Sequence, residues 1–454
     1  MLYADTIAAI ATPPGEGGVG IVRLSGPDAP GILRRVFRPA RGGDDYRPQC
    51  MRYGRVVDED GRTVDEALAV YFKSPHSFTG EDVVELHCHG GPLPLQSVLR
   101  LVLGAGARAA EPGEFTMRAF VNGRLDLAQA EATLDIIRAK TETGLRLAID
   151  QLGGWLSREV REIRELLLHP LAYLTALVDF PEDDVPVEDL MPPLHEAHAR
   201  LARLVRSAEQ GMIVRQGARA VLVGRPNAGK SSLLNALLRR ERAIVTPIPG
   251  TTRDTIEEQA NLGGVPVVLI DTAGIAETQD MVERIGIERS RAALALADLA
   301  LLLVDRSTPL SAEDLQIAGL THGKPTILVR TKADLAPQLD DRPLREAHPS
   351  LKAMVETSTL SGAGLDELAV TVARTLLGGA PISDAHLVTN PRHRDALFRV
   401  LEGVSATIDG LASLPADLLA IELTDALHAL GEISGETIAD DLLHAIFSRF
   451  CIGK

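Results

Sequence analysis

Residues 224–231 read GRPNAGKS, which fits the phosphate-loop pattern G-x-x-x-x-G-K-[ST]. An apolar run at residues 220–223 precedes this stretch, and an apolar-periodic run at residues 232–238 follows it. This order predicts a strand, a glycine-rich loop and a helix whose first backbone N–H groups surround phosphates. Lys230 is expected to neutralise the β- and γ-phosphates, and the Ser231 hydroxyl to bind Mg²⁺. The stretch therefore predicts a P-loop nucleotide-binding fold.

A later segment predicts that the bound base is guanine. Residues 331–334 read TKAD and follow an apolar run at residues 326–329. The Asp334 carboxylate accepts two hydrogen bonds from the N–H groups of guanine, which adenine does not offer, while Lys332 packs along the base. GTPases usually carry Asn where this chain has Thr331, and that side chain bridges to the phosphate loop.

The segment DTAG at residues 271–274 follows another apolar run, at residues 265–270. Asp271 is expected to hold the magnesium shell, and the N–H of Gly274 to sense the γ-phosphate. The next residue is Ile275, near the point where GTPases of the Ras type carry a Gln that orients the attacking water. Because isoleucine cannot orient water, we expect either a slow GTPase or one that takes charge and water positioning from elsewhere.

A switch segment is predicted between the phosphate loop and DTAG. Residues 246–254 read TPIPGTTRD, and Thr252 is the natural magnesium ligand of the GTP-bound state. Residues 358–360, STL, resemble the loop that closes over the base. Nucleotide contacts are therefore predicted for Asn227, Ala228, Gly229, Lys230, Ser231, Ser232, Thr246, Pro247, Ile248, Pro249, Gly250, Thr251, Thr252, Asp271, Thr272, Ala273, Gly274, Thr331, Lys332, Ala333, Asp334, Ser358, Thr359 and Leu360.

The length and the first part of the chain indicate several domains. With 454 residues, and roughly 100–200 residues per domain, the chain is expected to hold two to four of them. Residues 1–121 are rich in Gly and Pro and contain short β-type runs at residues 20–24, 67–72 and 83–87. This composition predicts an N-terminal domain of mixed α/β structure.

The rest of the chain predicts a helical domain that an α/β domain interrupts. Residues 122–216 and 380–454 carry apolar side chains at three- and four-residue steps, typical of helices. An acidic, proline-containing break at residues 179–186 separates two long helices in the first of these stretches. Residues 217–379 alternate strands with helices, which predicts a parallel sheet. Insertion of one domain into another is feasible because domain termini often lie close together.

Composition limits the classes of partner and compartment. The net charge of −15 argues against a surface coated with basic groups for nonspecific nucleic-acid binding. A local patch could still bind RNA, although solvated surface is the more ordinary interpretation of the two arginine clusters in the chain: Arg34, Arg35, Arg38 and Arg41, and Arg239, Arg240 and Arg242. Three cysteines favour a reducing compartment over a disulfide framework. Without a signal peptide or an apolar run of about 20 residues, we expect a cytoplasmic protein.

The sequence His87-Cys88-His89 has the residue types of a metal site. On a strand, however, alternate residues point to opposite faces, so Cys88 is expected to face away from both histidines. No matching Cys/His pair stands nearby in the sequence, and we expect no structural metal here.

Several motifs together resemble one family, the tRNA-modification GTPases of the MnmE (TrmE) type. They are GRPNAGKSSLLNAL from residue 224, PGTTRD from 249, DTAG from 271, VERIGIERS at 282–290 and FCIGK at 450–454. The resemblance extends over the whole chain, through GEGGVGIVRLSG at 15–26, ELHCHGGP at 85–92 and NGRLDLAQAEA at 122–132. The terminal FCIGK is the most distinctive part.

The resemblance implies a second ligand and a role for the C-terminal tail. The N-terminal domain would dimerise and bind a 5-formyl- or methylene-tetrahydrofolate through Arg23, Glu85, Arg124 and Lys454, where the family often has Lys in place of Arg124. Cys451 would take part in the modification chemistry.

The resemblance also implies how hydrolysis is catalysed. A potassium ion would be held by Asn227, Thr246, Ile248 and Thr251 and would replace an arginine finger. Glu283 would position the water, and two G domains would dimerise on GTP binding.

The reaction implied by the resemblance is addition of a carboxymethylaminomethyl-type group to carbon 5 of the wobble uridine of certain tRNAs. The partner would be the FAD-dependent protein MnmG (GidA), in a heterotetramer. Two alternatives stay open at this point. One is a regulatory GTPase of the ribosome-assembly type without modification chemistry. The other is a folate-dependent one-carbon transferase in which the G domain is only a regulator.

Overall fold

A computed structural model describes residues 5–41, 43, 46–180, 186–240, 259–271, 293–379 and 386–454. The chain divides into two compact units. The first comprises Met1–Leu134, Gln151–Arg161 and His428–Lys454, and the second comprises Asp135–Asp150 and Glu162–Leu427. The α/β and helical fold class is confirmed, whereas the three-domain boundaries given above stay a prediction.

A seven-stranded mixed sheet forms the centre of the first unit. Its strands are β1 (Ile7–Ile10), β2 (Gly17–Ser25), β3 (Phe37–Pro39), β4 (Arg52–Val57), β5 (Thr63–Phe72), β6 (Val83–Gly90) and β7 (Arg108–Ala109). Their order is β3-β4-β5-β6-β2-β1-β7, antiparallel except for the parallel pair β1–β7. The three β-type runs predicted from the sequence lie inside β2, β5 and β6.

The two faces of this sheet differ in what they contact. Helices Ala29–Val36 and Pro92–Gly104 cover one face, and their apolar side chains share a core with Leu86 and Cys88 of β6. Glu85 and His87 alternate with these residues and are only half-buried on the other face. The polar side chains of β6 are thereby placed together, outside the core.

Helices complete the first unit. Glu114–Val121 and Asp440–Phe447 lie in it entirely, and Leu127–Arg138 begins in it. Leu127 and Ala130 pack against Phe447 and Phe450, which fixes the approach of the C-terminal tail.

The region predicted to contain two long helices contains four in the structure. They are Leu127–Arg138, Glu142–Leu152, Trp155–Asp179 and Met191–Gln216. One helix ends at Asp179, where the predicted break begins, and residues 181–185 of that break lie outside the described part of the chain. Apolar periodicity alone did not reveal the earlier breaks. One of these follows from Gly154, whose φ of 76° lies in the left-handed region that a helix cannot continue through.

The second unit holds a six-stranded sheet in the order β13-β12-β11-β8-β10-β9. Its strands are β8 (Ala218–Val223), β9 (Gln259–Leu262), β10 (Val265–Asp271), β11 (Leu299–Asp305), β12 (Thr326–Thr331) and β13 (Leu351–Glu356). All neighbours run parallel except the edge pair β9–β10. The parallel sheet is confirmed, with one antiparallel edge strand that the alternation did not predict.

Both faces of this sheet are buried under apolar side chains. The flanking helices are Lys230–Arg240, Ala312–Leu320, Arg342–Ala347 and Leu365–Leu376. The helices Pro391–Gly410 and Ala416–Ser434 follow, inside the range 380–454 predicted to be helical. Asn390 caps the first of them, since its side chain accepts a hydrogen bond from the N–H of Arg392 at 3.0 Å. Within the described ranges, no helix is both long and apolar enough to cross a membrane.

Candidate functional site

The phosphate loop connects β8 to helix Lys230–Arg240, as the sequence predicts. Its backbone enters the left-handed region at Asn227 (φ 62°) and Gly229 (φ 93°). At Gly224 a Cβ atom would lie 2.5 Å from the carbonyl oxygen of Leu303 on β11. Glycine is therefore required there for the loop to start this close to the neighbouring strand.

Lys230 is the buried cation of the loop. Its Nζ donates hydrogen bonds to the carbonyl oxygens of Gly224 at 2.7 Å and Arg225 at 2.8 Å, so the ammonium lies inside the curve of the loop. Burial lowers the pKa of Lys230, and the carboxylates of Asp271 and Glu313 oppose that change. A dense phosphate charge at this position would stabilise the ammonium form.

Two of the three residues predicted to organise Mg²⁺, Ser231 and Asp271, lie side by side. The Ser231 hydroxyl donates to Oδ2 of Asp271 at 2.7 Å. They meet because β8 and β10 are parallel neighbours, and the carboxyl ends of parallel strands lie at one edge of a sheet. A hydroxyl and a carboxylate are oxygen ligands of the kind that Mg²⁺ prefers, so the residues present fit this ion.

Thr331 links residues 331–334, the predicted base-reading segment, to the phosphate loop. Its Oγ1 lies 2.8 Å from the carbonyl oxygen of Ala228 in the loop and 3.2 Å from that of Val304 in β11. The bridge that Asn makes in most GTPases is thus made here by a shorter hydroxyl, in a buried position.

Lys332 and Asp334 are held by different neighbours. Lys332 has a φ of 56°, and its Nζ pairs with Oδ2 of Asp305, the last residue of β11, at 2.6 Å. The Ser358 hydroxyl donates to Oδ1 of Asp334 at 2.5 Å, which joins the two predicted base-contacting segments. The other Asp334 oxygen is not engaged by that bond, and a base could approach it.

Two hydrogen bonds to backbone groups of Ala333 hold the same loop in place. The N–H of Ala333 donates to the carbonyl oxygen of Thr357 at 3.0 Å, and Nη1 of Arg306 donates to that of Ala333 at 2.9 Å. The base-reading segment is therefore tied both to β11 and to the end of β13.

A cavity of about 540 Å³ lies between the helix Lys230–Arg240 and residues 359–362. Three predicted nucleotide contacts line it, Ser232, Thr359 and Leu360, together with Asn235 and Arg239 of the helix after the phosphate loop. Asp334 and Lys332 are not among its lining residues, so this cavity is next to the predicted base contacts at residues 358–360 but does not include the predicted base acceptor.

Some predicted residues lie outside the described part of the chain. They are the whole switch segment with Thr246, Pro247, Ile248, Pro249, Gly250, Thr251 and Thr252, the DTAG residues Thr272, Ala273 and Gly274, and Glu283. Their roles stay predictions.

A second group of predicted residues meets in the first unit. Arg23 of β2 and Glu85 of β6 are direct cross-strand partners, and Nε of Arg23 donates to Oε1 of Glu85 at 2.8 Å. Nη1 of Arg23 also reaches the carbonyl oxygen of Gly453 in the C-terminal tail, at 3.3 Å. The tail is brought close to the sheet at Gly453, where a Cβ would lie 2.5 Å from the carbonyl oxygen of Ile10.

Lys454 belongs to this group through its electrostatic surroundings. Burial lowers the pKa of Lys454, the charge of Arg23 lowers it further, and Cys451 and Glu85 oppose the change. Cys451 itself is exposed, while its carbonyl oxygen accepts from the N–H of Gly113 at 3.4 Å. The tail thus places a half-buried amine near one arginine–glutamate pair, with an exposed thiol three residues earlier in the chain.

Arg124, the fourth predicted folate residue, has a different environment. Its Nε donates to the carbonyl oxygen of Ser77 at 3.4 Å. Ser77 precedes Phe78, whose ring centroid lies 5.7 Å from the guanidinium carbon of Arg23, and the ring of Phe115 lies 5.8 Å from the same carbon. Arg23 is therefore placed against two aromatic rings.

The sequence His87-Cys88-His89 is divided as strand alternation predicts. Cys88 lies in the core, and burial raises the pKa of its thiol to about 12. Nε2 of His87 contacts Glu85 at 3.1 Å, whereas Nδ1 of His89 contacts Asp65 at 2.6 Å. The three side chains do not converge on one point.

Reasoning from sequence missed several residues at the two sites: Phe78, Phe115, His87, Asp305 and Arg306. Only His87 among them had a readable signal. Glu85 and His87 are polar residues two apart in an otherwise apolar strand, and such a pattern puts them on one face. The two aromatic rings, Asp305 and Arg306 reach the sites through contacts with elements distant in sequence, which no local pattern reveals.

Comparison with known proteins supports the resemblance drawn from the motifs. The family model described as MnmE helical domain matches residues 127–451, and that described as GTP-binding protein TrmE N-terminus matches residues 6–124. Proteins named tRNA modification GTPase MnmE are 61% identical in a Roseiflexus species and 48% identical in Heliobacterium modesticaldum, over 100% of both chains in each case. One from Chloroflexus aurantiacus is 59% identical over 99% of this chain and 100% of its own. The chain therefore belongs to the MnmE family of tRNA modification GTPases.

Proposed function

We propose that this chain hydrolyses GTP to drive a modification of tRNA. With an FAD-dependent partner of the MnmG (GidA) type, it would add a carboxymethylaminomethyl-type group to carbon 5 of the wobble uridine of certain tRNAs. Full-length similarity to relatives named tRNA modification GTPase MnmE carries the proposal. The geometry of two separate ligand sites supports it.

The nucleotide half of the proposal rests on the phosphate-loop site. Lys230 would neutralise the β- and γ-phosphates, while Ser231 and Asp271 would hold Mg²⁺, which neutralises charge that develops on the phosphates. Asp334 would accept the guanine N–H groups beside Lys332. Contacts of Ser358 and Thr331 with these loops orient the acceptor relative to the phosphates.

Potassium would supply the missing positive charge during hydrolysis. Asn227 stands in the phosphate loop in a left-handed conformation, and the other proposed ligands are Thr246, Ile248 and Thr251. With Ile275 in place of a catalytic Gln, Glu283 would position the attacking water.

A salt comparison tests the potassium proposal. GTP hydrolysis should be at least about tenfold faster in KCl than in NaCl at equal ionic strength, since the ion stabilises charge in the transition state. LiCl, whose cation is smaller than K⁺, and RbCl, whose cation is close to K⁺ in size, serve as controls. Equal rates in KCl and NaCl would exclude this role for the ion.

The modification half rests on the site in the first unit. Arg23, Glu85 and Lys454 would bind the tetrahydrofolate, with Arg124 at its edge, and the bound group would supply a one-carbon unit. Cys451, exposed in the tail, would take part in the modification chemistry. We further propose that the chain acts as a homodimer.

Analysis of tRNA nucleosides tests the whole proposal. Mass spectrometry on tRNA from a strain lacking this gene should show loss of one modified wobble uridine, and the intact gene should restore it. An unchanged nucleoside profile would favour a regulatory GTPase and overturn the modification role. Restoration by a Lys230→Ala variant would favour a transferase in which GTP hydrolysis is only regulatory.

A further inference from the structure

The site formed by Arg23, Glu85 and Lys454, called the tail site below, contains a histidine that the proposed function does not use. His87 and Glu85 lie two residues apart on β6, on the face away from the core. Arg23 is the cross-strand partner of Glu85, and Ile21 that of His87. Antiparallel pairing therefore places the Arg23, Glu85 and His87 side chains on one surface.

The Glu85 carboxylate is held from both sides. Oε1 accepts from Nε of Arg23 at 2.8 Å, and Oε2 lies 3.1 Å from Nε2 of His87. An ionised carboxylate can only accept hydrogen bonds, so this contact requires a proton on Nε2 of His87. With one donor on each oxygen, each oxygen keeps a lone pair for a ligand.

Two cationic side chains lie near this carboxylate. Arg23 donates to it directly, and Lys454 is close enough for its pKa to respond to Glu85. The side chains of Arg23, Glu85 and His87 are only 18%, 14% and 18% exposed. Because water is largely excluded, the direction of each hydrogen bond depends on protein groups.

We propose that His87 is a positioning residue for ligand recognition by Glu85. By donating from Nε2, it fixes the plane of the carboxylate, so that the remaining lone pairs face the N–H groups of a 2-amino-4-oxo-pteridine ring. This inference rests on the proposed tetrahydrofolate site. It assigns to His87 a role in binding, exerted through Glu85, without a contact to the reacting carbon.

The strand also provides a matched comparison. His89 is two residues further along β6 and makes the same kind of contact, from Nδ1 to Oδ1 of Asp65 at 2.6 Å. Its side chain is 68% exposed, and its partner lies on β5. The same substitution at His89 therefore removes a histidine–carboxylate contact that does not involve Glu85.

Calorimetric titration of the full chain with 5-formyltetrahydrofolate tests the role of His87. His87→Leu should weaken binding about tenfold, the usual effect of losing one hydrogen bond to a charged group. His87→Gln should bind within about twofold of the unaltered chain, because its amide Nε2 can donate from a similar position. His89→Leu should bind like the unaltered chain. Thermal melts verify that each variant is folded.

A double-mutant cycle separates positioning from a general structural effect. In a Glu85→Gln background, His87→Leu should cause no further loss, since its effect passes through the carboxylate. If His87→Leu weakened folate binding as much in the Glu85→Gln background as in the unaltered chain, the inference would be wrong. It would also be wrong if His87→Leu left folate binding unchanged while Glu85→Gln weakened it. In both cases the folate site itself would stand. Absence of binding by the unaltered chain would instead overturn the folate site itself, and this inference with it.

Discussion

The two sites of this protein are built in different ways. The nucleotide site is made by loops at the carboxyl ends of adjacent parallel strands, and its loop conformation depends on backbone at Gly224, Asn227 and Gly229. The tail site is made by side chains on antiparallel strands and by a tail 430 residues away from Arg23 in sequence. Backbone-built sites leave contiguous motifs in a sequence, and side-chain-built sites leave scattered single residues.

This contrast predicts that the nucleotide site fails most severely when its buried cation is removed. Lys230→Ala should weaken GTP binding at least about a hundredfold, because two or more charge-assisted hydrogen bonds are lost. Binding of 5-formyltetrahydrofolate should not change. Fluorescent-nucleotide titration measures the first effect, and calorimetry the second.

Lys324→Ala is the matched control for that experiment. Its Nζ also donates to backbone carbonyls, those of Ala295 and Ala297, but away from the phosphate loop. If both lysine variants lost GTP binding equally, the special role of Lys230 would be refuted.

Replacement of the base acceptor should have the next largest effect. Asp334→Asn should weaken GTP binding by about thirtyfold and reduce discrimination against xanthine nucleotides, because an amide presents a donor where guanine needs an acceptor. Competition titrations with GTP and xanthosine triphosphate measure both changes. Asp340→Asn, a surface carboxylate paired with Arg342, is the control and should bind GTP normally.

A single substitution at the tail site should lower ligand affinity less, because several side chains contribute to binding there. Arg23→Ala should weaken 5-formyltetrahydrofolate binding by about tenfold, with loss of the contacts to Glu85 and Gly453, and leave GTP affinity intact. Arg62→Ala removes an exposed arginine of the same unit and should change neither affinity. Loss of GTP affinity in Arg23→Ala would contradict the separation of the two sites.

The smallest expected difference is between the two units, in how a histidine of each makes stability depend on pH. Asp65 raises the pKa of His89, so the stabilisation from that pair is present below the ordinary pKa of about 6.5 and is lost as the pH rises through the raised value. Burial, and then His322, lower the pKa of His348 in the second unit. His348 therefore contributes fully above about pH 6.5 and loses its contribution as the pH falls through the lowered value.

Melting temperatures measured at about pH 5.5 and about pH 8 test these opposite trends. The difference between the unaltered chain and His89→Gln should shrink as the pH rises. The difference for His348→Gln should shrink as the pH falls. Parallel trends in the two variants would contradict the assigned shifts.

The contrast between the sites also explains how much the sequence could predict. The P-loop fold, the strands before each nucleotide motif and the pairing of Ser231 with Asp271 follow from local patterns with fixed geometry. The strand order of the first unit's sheet depends on packing that no short window contains, whereas the helix break at Gly154 carried a local signal. For the tail site, Arg23 and Lys454 were reachable only through the family resemblance.

The same reasoning accounts for the residues that were missed. Phe78 and Phe115 look like ordinary core aromatics in the sequence, and their position at Arg23 depends on how the strands and helices pack. Asp305 ends a buried strand, and its contact with Lys332 follows only from the pairing of β11 with β12. Such residues can be identified once the pairing register of the strands and the packing of the helices are known.

Asn227 and Lys332 have a consequence for anyone who engineers this chain to resist heat. They adopt φ angles of 62° and 56°, which side chains other than glycine disfavour, and both stand in the nucleotide site. A design procedure that rewards relaxed backbone would choose glycine at these two positions, with more strain relieved at Lys332 than at Asn227, since Asn tolerates this region better. It would at the same time delete the amide and the ammonium to which we assign the ion and base contacts, so a hardier protein obtained in this way is expected to be a poorer enzyme.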